Sequence, residues 1–205
     1  MFGDIMKEIK EIENYAHENH VPILLKDGLE FILDLIKDRH VKNILEVGTA
    51  IGYSSICMAK LDPEIQIDTL ELDEQRYKEA LFNISENGLE NQIHAYLTDA
   101  MEFSSDNKYD LIFIDAAKSQ YRRYMEHFYP NLNLNGIYVF DNLNFHGFVD
   151  DPTLTNNRST RQMCAKIKRF RDWILAEESF DTQFYSQIGD GLAVVSVKQT
   201  WDMLK

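Results

Sequence analysis

The chain has 205 residues, of which 44% are hydrophobic and 27% are charged, a composition typical of a globular protein with a sizeable core. The net charge of −13 disfavours nucleic-acid binding except through a local basic patch. No apolar run approaches the roughly 20 residues of a membrane-spanning helix, and the first eight residues do not resemble a signal peptide. With only two cysteines a disulfide framework is excluded. We therefore expect a cytoplasmic protein in which Cys57 and Cys164 are buried free thiols.

Two amphipathic helices are predicted at the start of the chain. Apolar residues recur at steps of three and four from Ile5 to Ala16, and again from Leu29 to Ile36. The segment Val21-Pro22-Ile23 separates the two patterns.

Strands and helices then alternate. Strands are predicted at 43–47, 67–71, 92–97, 109–114 and 136–140, helices at 53–61, 74–87, 118–129 and 160–176, a long loop at 142–159, and two closing strands at about 181–187 and 191–197. Alternation of this kind builds a parallel α/β sheet. Gly189-Asp190-Gly191 resembles a hairpin turn, which predicts one antiparallel strand at or near an edge.

A glycine-containing turn follows the first strand, in Glu46-Val47-Gly48-Thr49-Ala50-Ile51-Gly52. Glycine lets the backbone pass close to a ligand, and the N-terminus of the next helix offers free N–H groups. A dinucleotide fingerprint would need glycine at positions 50 and 53, which are Ala50 and Tyr53. The Gly-Lys-Ser/Thr of a phosphate loop is also absent.

Two acidic residues follow the next strands. Glu71 ends the second strand, where a carboxylate can accept hydrogen bonds from both ribose hydroxyls. Asp99 follows the third strand and can accept from the exocyclic amine of adenine. Together with the turn, they favour an adenosine-containing ligand without a pyrophosphate. The alternative is that Glu46 and Glu71 are solvated charges at strand ends.

Asp115 and Asp141 each follow an apolar strand, and Asn142 comes directly after Asp141. The carboxyl ends of parallel strands are where such sheets bind ligands. A set that offers only oxygen atoms favours magnesium, calcium or manganese over zinc. The alternative, that Asp115 merely caps the next helix, explains the Asp-Asn pair poorly.

These residues together resemble a known family. The matching motifs are Glu46-x-Gly48-Thr49-x-x-Gly52-Tyr53-Ser54, Glu71, Phe113-Ile114-Asp115-Ala116-x-Lys118, Asp141-Asn142 and Gly189-Asp190-Gly191-Leu192. They are similar to those of the metal-dependent O-methyltransferases, which include catechol and caffeoyl-CoA O-methyltransferases, and the similarity runs from about Ile12 to Val197. Ala50 replaces a glycine that is frequent in other methyltransferases, a change this family commonly tolerates.

The resemblance implies an α/β, Rossmann-like fold with a seven-stranded, mostly parallel sheet and helices on both faces. It implies one methyltransferase domain over 1–205, with N-terminal helices in 1–40 and a core in 41–198, and a homodimer. It implies that S-adenosylmethionine is bound by Glu46, Gly48, Thr49, Tyr53, Ser54, Glu71, Asp99, Ala100 and Asp115. It further implies that magnesium, or another hard divalent ion, is bound by Asp115, Asp141 and Asn142, and that Lys118, beside Asp115, is the catalytic general base.

A hydroxyl is a poor nucleophile until it loses its proton, and a divalent cation lowers the pKa of a bound hydroxyl. Lys118 could accept that proton if its own pKa is depressed by the metal and by burial; the alternative is an ion pair with Asp115 or a solvated lysine. This chemistry favours acceptors with two adjacent oxygens. Catechols, caffeoyl esters and 5-hydroxyuridine meet that condition.

A basic segment favours the last of these acceptors. Residues 158–171 contain six cations and no acidic residue. With Met163, Ile167, Phe170 and Ile174 facing the core, we expect outward positions for Arg161, Lys168, Arg169 and Arg171, next to Arg158 and Lys166 in the same segment. A cationic face beside an active site suits an RNA backbone.

The chain also resembles the bacterial tRNA 5-hydroxyuridine methyltransferases, in Val21-Pro22-Ile23, Asp141-Asn142-x-x-Phe145-x-Gly147 and Arg161-Gln162. This resemblance implies formation of 5-methoxyuridine at the wobble position of tRNA. The alternatives are a small-molecule O-methyltransferase whose basic helix is a solvated surface or a dimer contact, and a non-catalytic protein that binds S-adenosylmethionine.

Overall fold

The computed structural model describes residues 9–198 and residue 201. Its helices and strands in chain order are α1 (Lys10–Glu18), α2 (Lys26–Asp38), β1 (Asn43–Val47), α3 (Tyr53–Ala59), β2 (Gln66–Glu71), α4 (Glu74–Glu86), β3 (Ile93–Leu97), β4 (Tyr109–Ile114), α5 (Tyr121–Phe128), β5 (Leu132–Phe140), α6 (Arg158–Ala176), β6 (Phe180–Tyr185) and β7 (Leu192–Val197). Short 3₁₀ turns occupy Lys118–Gln120, Tyr129–Asn131 and Pro152–Leu154. No helix among the described residues is long and apolar enough to cross a membrane.

The seven strands form one sheet in the order β3-β2-β1-β4-β5-β7-β6. Strands β1 to β5 pair in parallel, whereas β7 runs antiparallel to both β5 and β6. The predicted fold class is confirmed, with the antiparallel strand second from the edge. The strand order reverses between β1 and β4, and ligands of such sheets bind at the carboxyl ends beside this reversal.

The central strands are buried on both faces. In β4, Leu111 and Phe113 belong to a core on one side of the sheet, and Ile112 and Ile114 belong to a core on the other. Side chains alternate in this way because successive residues of a strand point to opposite faces. Helices α1, α2, α3 and α4 contribute to the first core, and α5 and α6 contribute to the second.

Several predicted boundaries shift. The helix expected from position 118 begins with a 3₁₀ turn and becomes α-helical at Tyr121. Strand β5 begins at Leu132 rather than Gly136, and α6 begins at Arg158, where the Asn157 side chain accepts a hydrogen bond from the Thr160 N–H at 3.1 Å. Cys57 and Cys164 are buried free thiols, as predicted. Ile5, expected in the first helix, lies outside the described residues.

The expectation that Arg171 faces outward is wrong. Its side chain is buried, and it lies on the same stripe of α6 as Ile167 and Ile174, four residues after one and three before the other. Residues at these spacings share one helix face. The other cations expected outward, Arg161, Lys168 and Arg169, are exposed, and Lys168 pairs with Asp172 at 3.1 Å.

Candidate active site

A cleft of about 390 Å³ opens at the carboxyl edge of the sheet, beside the reversal of strand order. Its walls contain eight of the residues predicted for the site: Gly48, Glu71, Asp99, Ala100, Asp115, Lys118, Asp141 and Asn142. The structure thus brings the proposed adenosine-binding acids and the proposed metal ligands into one cavity.

The turn after β1 passes very close to the neighbouring strand. Gly48 has a φ of +108°, and a Cβ atom at this position would lie 2.1 Å from the backbone oxygen of Asp115. The N–H groups of Gly48 and Thr49 both donate to the Leu70 carbonyl, at 2.9 and 3.1 Å. Only glycine has both the backbone freedom and the lack of a side chain that this approach requires.

Glu46 lies beneath the turn and is completely buried. Its carboxylate accepts hydrogen bonds from the hydroxyls of Ser54, Ser55 and Thr69, the last at 2.6 Å. Burial raises the pKa of Glu46 to about 7, although these hydroxyls act in the opposite direction. Because Thr69 donates to Glu46, Thr49 must donate to Thr69, at 2.6 Å. These hydrogen bonds connect the turn to α3 and β2 and hold it in place.

Four residues predicted to bind the cofactor do not line the cleft: Glu46, Thr49, Tyr53 and Ser54. Tyr53 is buried, and its hydroxyl donates to Glu13 of α1 at 2.9 Å. Their direct contact with a cofactor stays a prediction.

Glu71 holds the turn from the cleft side. One carboxylate oxygen accepts from the Ala50 N–H at 2.8 Å, and the other accepts from the N–H groups of Leu72 and Asp73, both at 2.9 Å. Each carboxylate oxygen has two lone pairs, so the oxygen that accepts from Ala50 can accept one further hydrogen bond from a ligand.

Asp99 and Ala100, which follow β3, also line the cleft. Asp99 accepts from the Met101 N–H at 2.8 Å through one oxygen. Leu72, which is 71% exposed, is a further lining residue. Acidic groups at two positions with apolar side chains between them suit a nucleoside, which has polar edges and a flat apolar face.

Asp115, Lys118, Asp141 and Asn142 meet at the other end of the cleft. The Lys118 ammonium donates to the side-chain oxygen of Asn142 and lies 3.7 Å from an Asp115 oxygen. Asn142 has a φ of +59°, and its N–H donates to the Asp141 carboxylate at 2.7 Å. Strands β4 and β5 deliver these groups because both end at this edge of the sheet.

This end of the cleft concentrates negative charge. Burial, followed by repulsion from Asp115, raises the pKa of Asp141 to about 7. Burial also raises the pKa of Asp115, against the opposing effect of Lys118. Nearby, the Oδ2 atom of Asp190 is buried without a hydrogen-bond partner in the part of the chain that the structure describes, with His146 Nδ1 at 3.6 Å.

A divalent cation fits this donor set. It would relieve the repulsion between Asp115 and Asp141, and both carboxylates and the Asn142 amide are oxygen ligands that Mg²⁺ accepts. Among the described residues no group of three His, Cys, Asp or Glu side chains is arranged around a metal position. The set here instead combines two carboxylates with an amide.

Sequence reasoning missed several residues of the cleft. Pro22, Ile23 and Leu25 line it from the segment between α1 and α2. Gln120 lines it from the end of the 3₁₀ turn, and Tyr124 lines it from α5. The Val21-Pro22-Ile23 break was a signal for the first group, since it places apolar residues outside a helix. Nothing in the local pattern distinguished Gln120 or Tyr124.

Comparison with known proteins decides the family. Residues 3–198 match the sequence model of a family described as O-methyltransferase. The chain belongs to the O-methyltransferase family. A solved structure from Staphylococcus aureus, provisionally named as a caffeoyl-CoA O-methyltransferase, is 36% identical to it, with a TM-score of 0.88 over 95% of this chain and 96% of that one.

Other relatives agree with this assignment. A catechol O-methyltransferase of Niastella koreensis is 30% identical over 77% of this chain and 74% of its own length. An O-methyltransferase from Bacillus cereus, solved with SAH (S-adenosylhomocysteine), is 26% identical, with a TM-score of 0.77 over 95% of this chain and 91% of that one. The predicted enzyme class, an O-methyltransferase, is therefore confirmed.

Proposed function

We propose that this O-methyltransferase transfers a methyl group from S-adenosylmethionine to a hydroxyl that has a second oxygen beside it, with the help of a bound divalent cation, magnesium in the first instance. One observation carries the proposal. Asp115, Asp141, Asn142 and Lys118 converge at one end of a cleft whose other end contains Glu71 and Asp99.

The cofactor would lie across the carboxyl ends of β1, β2 and β3. The lack of a side chain at Gly48 would let the amino-acid part of the cofactor approach the turn. Glu71 would accept a hydrogen bond from a ribose hydroxyl, and Asp99 would accept one from the adenine amine. The Bacillus cereus relative, which was solved with SAH, supports this choice of cofactor. S-adenosylmethionine supplies an electrophilic methyl group when bound.

Asp115, Asp141 and Asn142 would hold the cation. When bound, it lowers the pKa of a hydroxyl that it ligates and orients the acceptor. Two adjacent oxygens on the acceptor satisfy this arrangement better than one, because both can bind the same ion. The raised pKa of Asp141 and the crowding of Asp115 against it support a cation here.

Lys118 would first lose its own proton to solvent and would then, as a neutral amine, receive the acceptor's proton. Its ammonium lies between Asn142 and Asp115, so the side chain reaches the place where a bound hydroxyl would stand. Its side chain is only 20% exposed, which limits exchange with water. The competing interpretation is a structural ion pair with Asp115. Lower turnover in Lys118→Met without a change in cofactor affinity would support the proton acceptor over the structural ion pair.

For the acceptor we propose 5-hydroxyuridine at the wobble position of tRNA. The supporting feature is an exposed cationic group on α6 in a chain whose net charge is −13: Arg158, Arg161, Lys166 and Arg169. Helix α6 follows the segment that begins at the proposed metal ligands, and it packs against the 3₁₀ turn that contains Lys118. Lysine and arginine beside an active site give RNA affinity through backbone phosphates.

A small-molecule acceptor is the second candidate. The Niastella koreensis relative is named as a catechol O-methyltransferase, and a Populus trichocarpa relative, 27% identical over 84% of this chain and 70% of its own length, is named as a caffeoyl-CoA O-methyltransferase. Both acceptors have adjacent oxygens. Because Arg171 is buried, it does not contribute to the exposed cationic group of α6.

The test uses methyl-labelled S-adenosylmethionine and Mg²⁺. Bulk tRNA from a strain that lacks this gene is one acceptor, and catechol and caffeoyl-CoA are the others. Label in tRNA that disappears with EDTA, and that digestion locates in 5-methoxyuridine, is expected. Label only in the small molecules would transfer the proposal to the second candidate. No transfer to any acceptor, with intact binding of S-adenosylmethionine, would favour the non-catalytic alternative.

A charge-reversal variant sharpens this test. Arg158→Glu/Arg161→Glu should reduce tRNA labelling at least tenfold at about 150 mM salt, since each lost phosphate contact weakens binding. The matched control is Arg39→Glu, at the exposed end of α2. An equal loss in the control would show a general charge effect rather than a binding face.

The cytoplasmic location and the homodimer stay predictions. The two buried free thiols agree with a reducing compartment. Light scattering on the purified chain measures the oligomeric state directly, and a mass of one chain would remove the dimer.

A further inference from the structure

The segment 143–151 follows the proposed metal ligands and contains no helix or strand, yet it is attached at several points. The N–H groups of Leu143 and Asn144 donate to the carbonyls of Gly191 and Asp190, both at 2.8 Å. These residues belong to the turn before β7. One side of the segment is therefore fixed to the sheet.

Arg171 of α6 fixes the other side. Its Nη1 atom donates to the Leu143 carbonyl at 3.3 Å and to the Asn144 side-chain oxygen at 3.0 Å. The same guanidinium binds both oxygens of Asp150, one of them at 3.2 Å. It lies 5.2 Å from the centre of the Phe184 ring on β6.

These contacts need an arginine. A planar guanidinium has five donors in a fixed fork, so one side chain can bridge three chain positions, whereas a lysine ammonium is a single point of charge. The Arg171 side chain is only 7% exposed, while Asp150 is 60% exposed. Because an unpaired buried charge is costly, Arg171 is stable at this depth only while it is bound to these partners.

We infer that Arg171 is a positioning residue for the acceptor end of the active site. It acts through Leu143 and Asn144 on the adjacent residue Asn142, and through Asp150 on the rest of the segment. Asn142 is thereby held where its side-chain oxygen meets Lys118 and can bind a cation. This inference rests on the proposed function, because it assigns Asn142 to the metal.

The variants are Arg171→Met, which keeps the length of the side chain but loses its donors, and Arg171→Lys, which keeps the charge. Mn²⁺ is the probe ion, titrated in the presence of saturating SAH. Arg171→Met should weaken Mn²⁺ binding about tenfold, within the range for groups that orient metal ligands. SAH affinity should change less than about twofold, because Arg171 does not line the cleft.

Chymotrypsin gives a second readout. Phe145 and Phe148 lie within the segment, so its release in Arg171→Met should speed cleavage there. Arg171→Lys should speed cleavage nearly as much, because a lysine ammonium cannot replace the fork of donors. Arg39→Met is the matched control and should leave both readouts as in the unaltered chain. If Arg171→Met does not fold, Asp150→Asn replaces it and should show weaker Mn²⁺ binding and faster cleavage.

The outcomes are separable. The role of Arg171 would be overturned if Mn²⁺ affinity and cleavage stay unchanged in the variants. It would also be overturned by equal losses of Mn²⁺ and SAH binding, because these would indicate a general loss of structure. Absence of Mn²⁺ binding in the unaltered chain would instead remove the metal from the proposed function.

Discussion

Replacing Glu46 by Gln should remove part of the loss of stability that the protein undergoes as the pH rises from about 4.5 to 7. Glu46 is completely buried and its pKa is raised from 4.5 to about 7, chiefly by burial. A carboxyl whose pKa is higher in the folded state holds its proton more tightly there. Its effect on folding is therefore absent below about pH 4.5, and it destabilises the fold progressively as the pH rises to about 7.

The size of the effect follows from the shift. One pKa unit corresponds to roughly 1.4 kcal/mol, so the raised pKa costs about 3 kcal/mol once Glu46 is ionised in both states. About 2 kcal/mol of this cost falls between roughly pH 5.5 and 8.5. Glu46→Gln cannot ionise, so its unfolding free energy should decline by about 2 kcal/mol less over that range than that of the unaltered chain.

Urea denaturation of the cofactor-free proteins at the two pH values gives the change in unfolding free energy with pH for each protein. The change in Glu46→Gln is then compared with the change in the unaltered chain. Groups other than position 46 cancel between the two proteins. Glu30→Gln is the control, because that side chain is exposed on α2, and it should preserve the original pH dependence. A Glu46→Gln variant with the full pH dependence would refute the assignment of a buried, hydroxyl-bonded carboxyl that resists ionisation.

Three further predictions concern the turn, the proton acceptor and the sheet. Gly48→Ala should destabilise the fold by about 3 kcal/mol and weaken SAH binding in calorimetry, because its Cβ would meet a backbone oxygen at 2.1 Å. The control is Gly88→Ala, because Gly88 also has a positive φ but has open space where a Cβ would stand. An equal loss of stability in Gly88→Ala would assign the effect to backbone strain alone. Lys118→Met should lower single-turnover methyl transfer about 10²–10⁴-fold with unchanged SAH affinity; unchanged transfer would exclude it as the general base. Asp68→Asn should cost about 1–3 kcal/mol in thermal unfolding, because Asp68 is buried and accepts from three side chains, and an unchanged melting temperature would contradict that account.

The strands were predictable because each is a local apolar run. The predicted strand at 109–114 matches β4 at both ends. Strand β5 was cut short in the prediction, because Asn133 and Asn135 interrupt its apolar pattern. Its first pairing, Leu132 with Tyr109, is separated from the regular register by an irregularity, which local composition does not reveal.

The site was predictable only as far as strand ends determine it. Asp115 and Asp141 could be placed together because parallel strands end at one edge. The burial of Arg171 could not be foreseen from its charge, although its spacing from Ile167 and Ile174 already placed it on the buried stripe. Its partners Leu143 and Asp150 are 28 and 21 residues away in the chain, and contacts at that range depend on how the helix packs.

The contact between α2 and the turn before β7 bears on the order in which parts of the fold can form. Asp27, at the start of α2, accepts a hydrogen bond at 3.0 Å from the Gly189 N–H, 162 residues further along the chain. The Cα atom of Gly189 is also 3.6 Å from where a Cβ of Gly28 would stand. Ribosomes make the chain from its amino end, so Asp27 is synthesised 162 residues before its partner Gly189. This contact can therefore form only after the glycine turn and strands β1 to β6 have been synthesised.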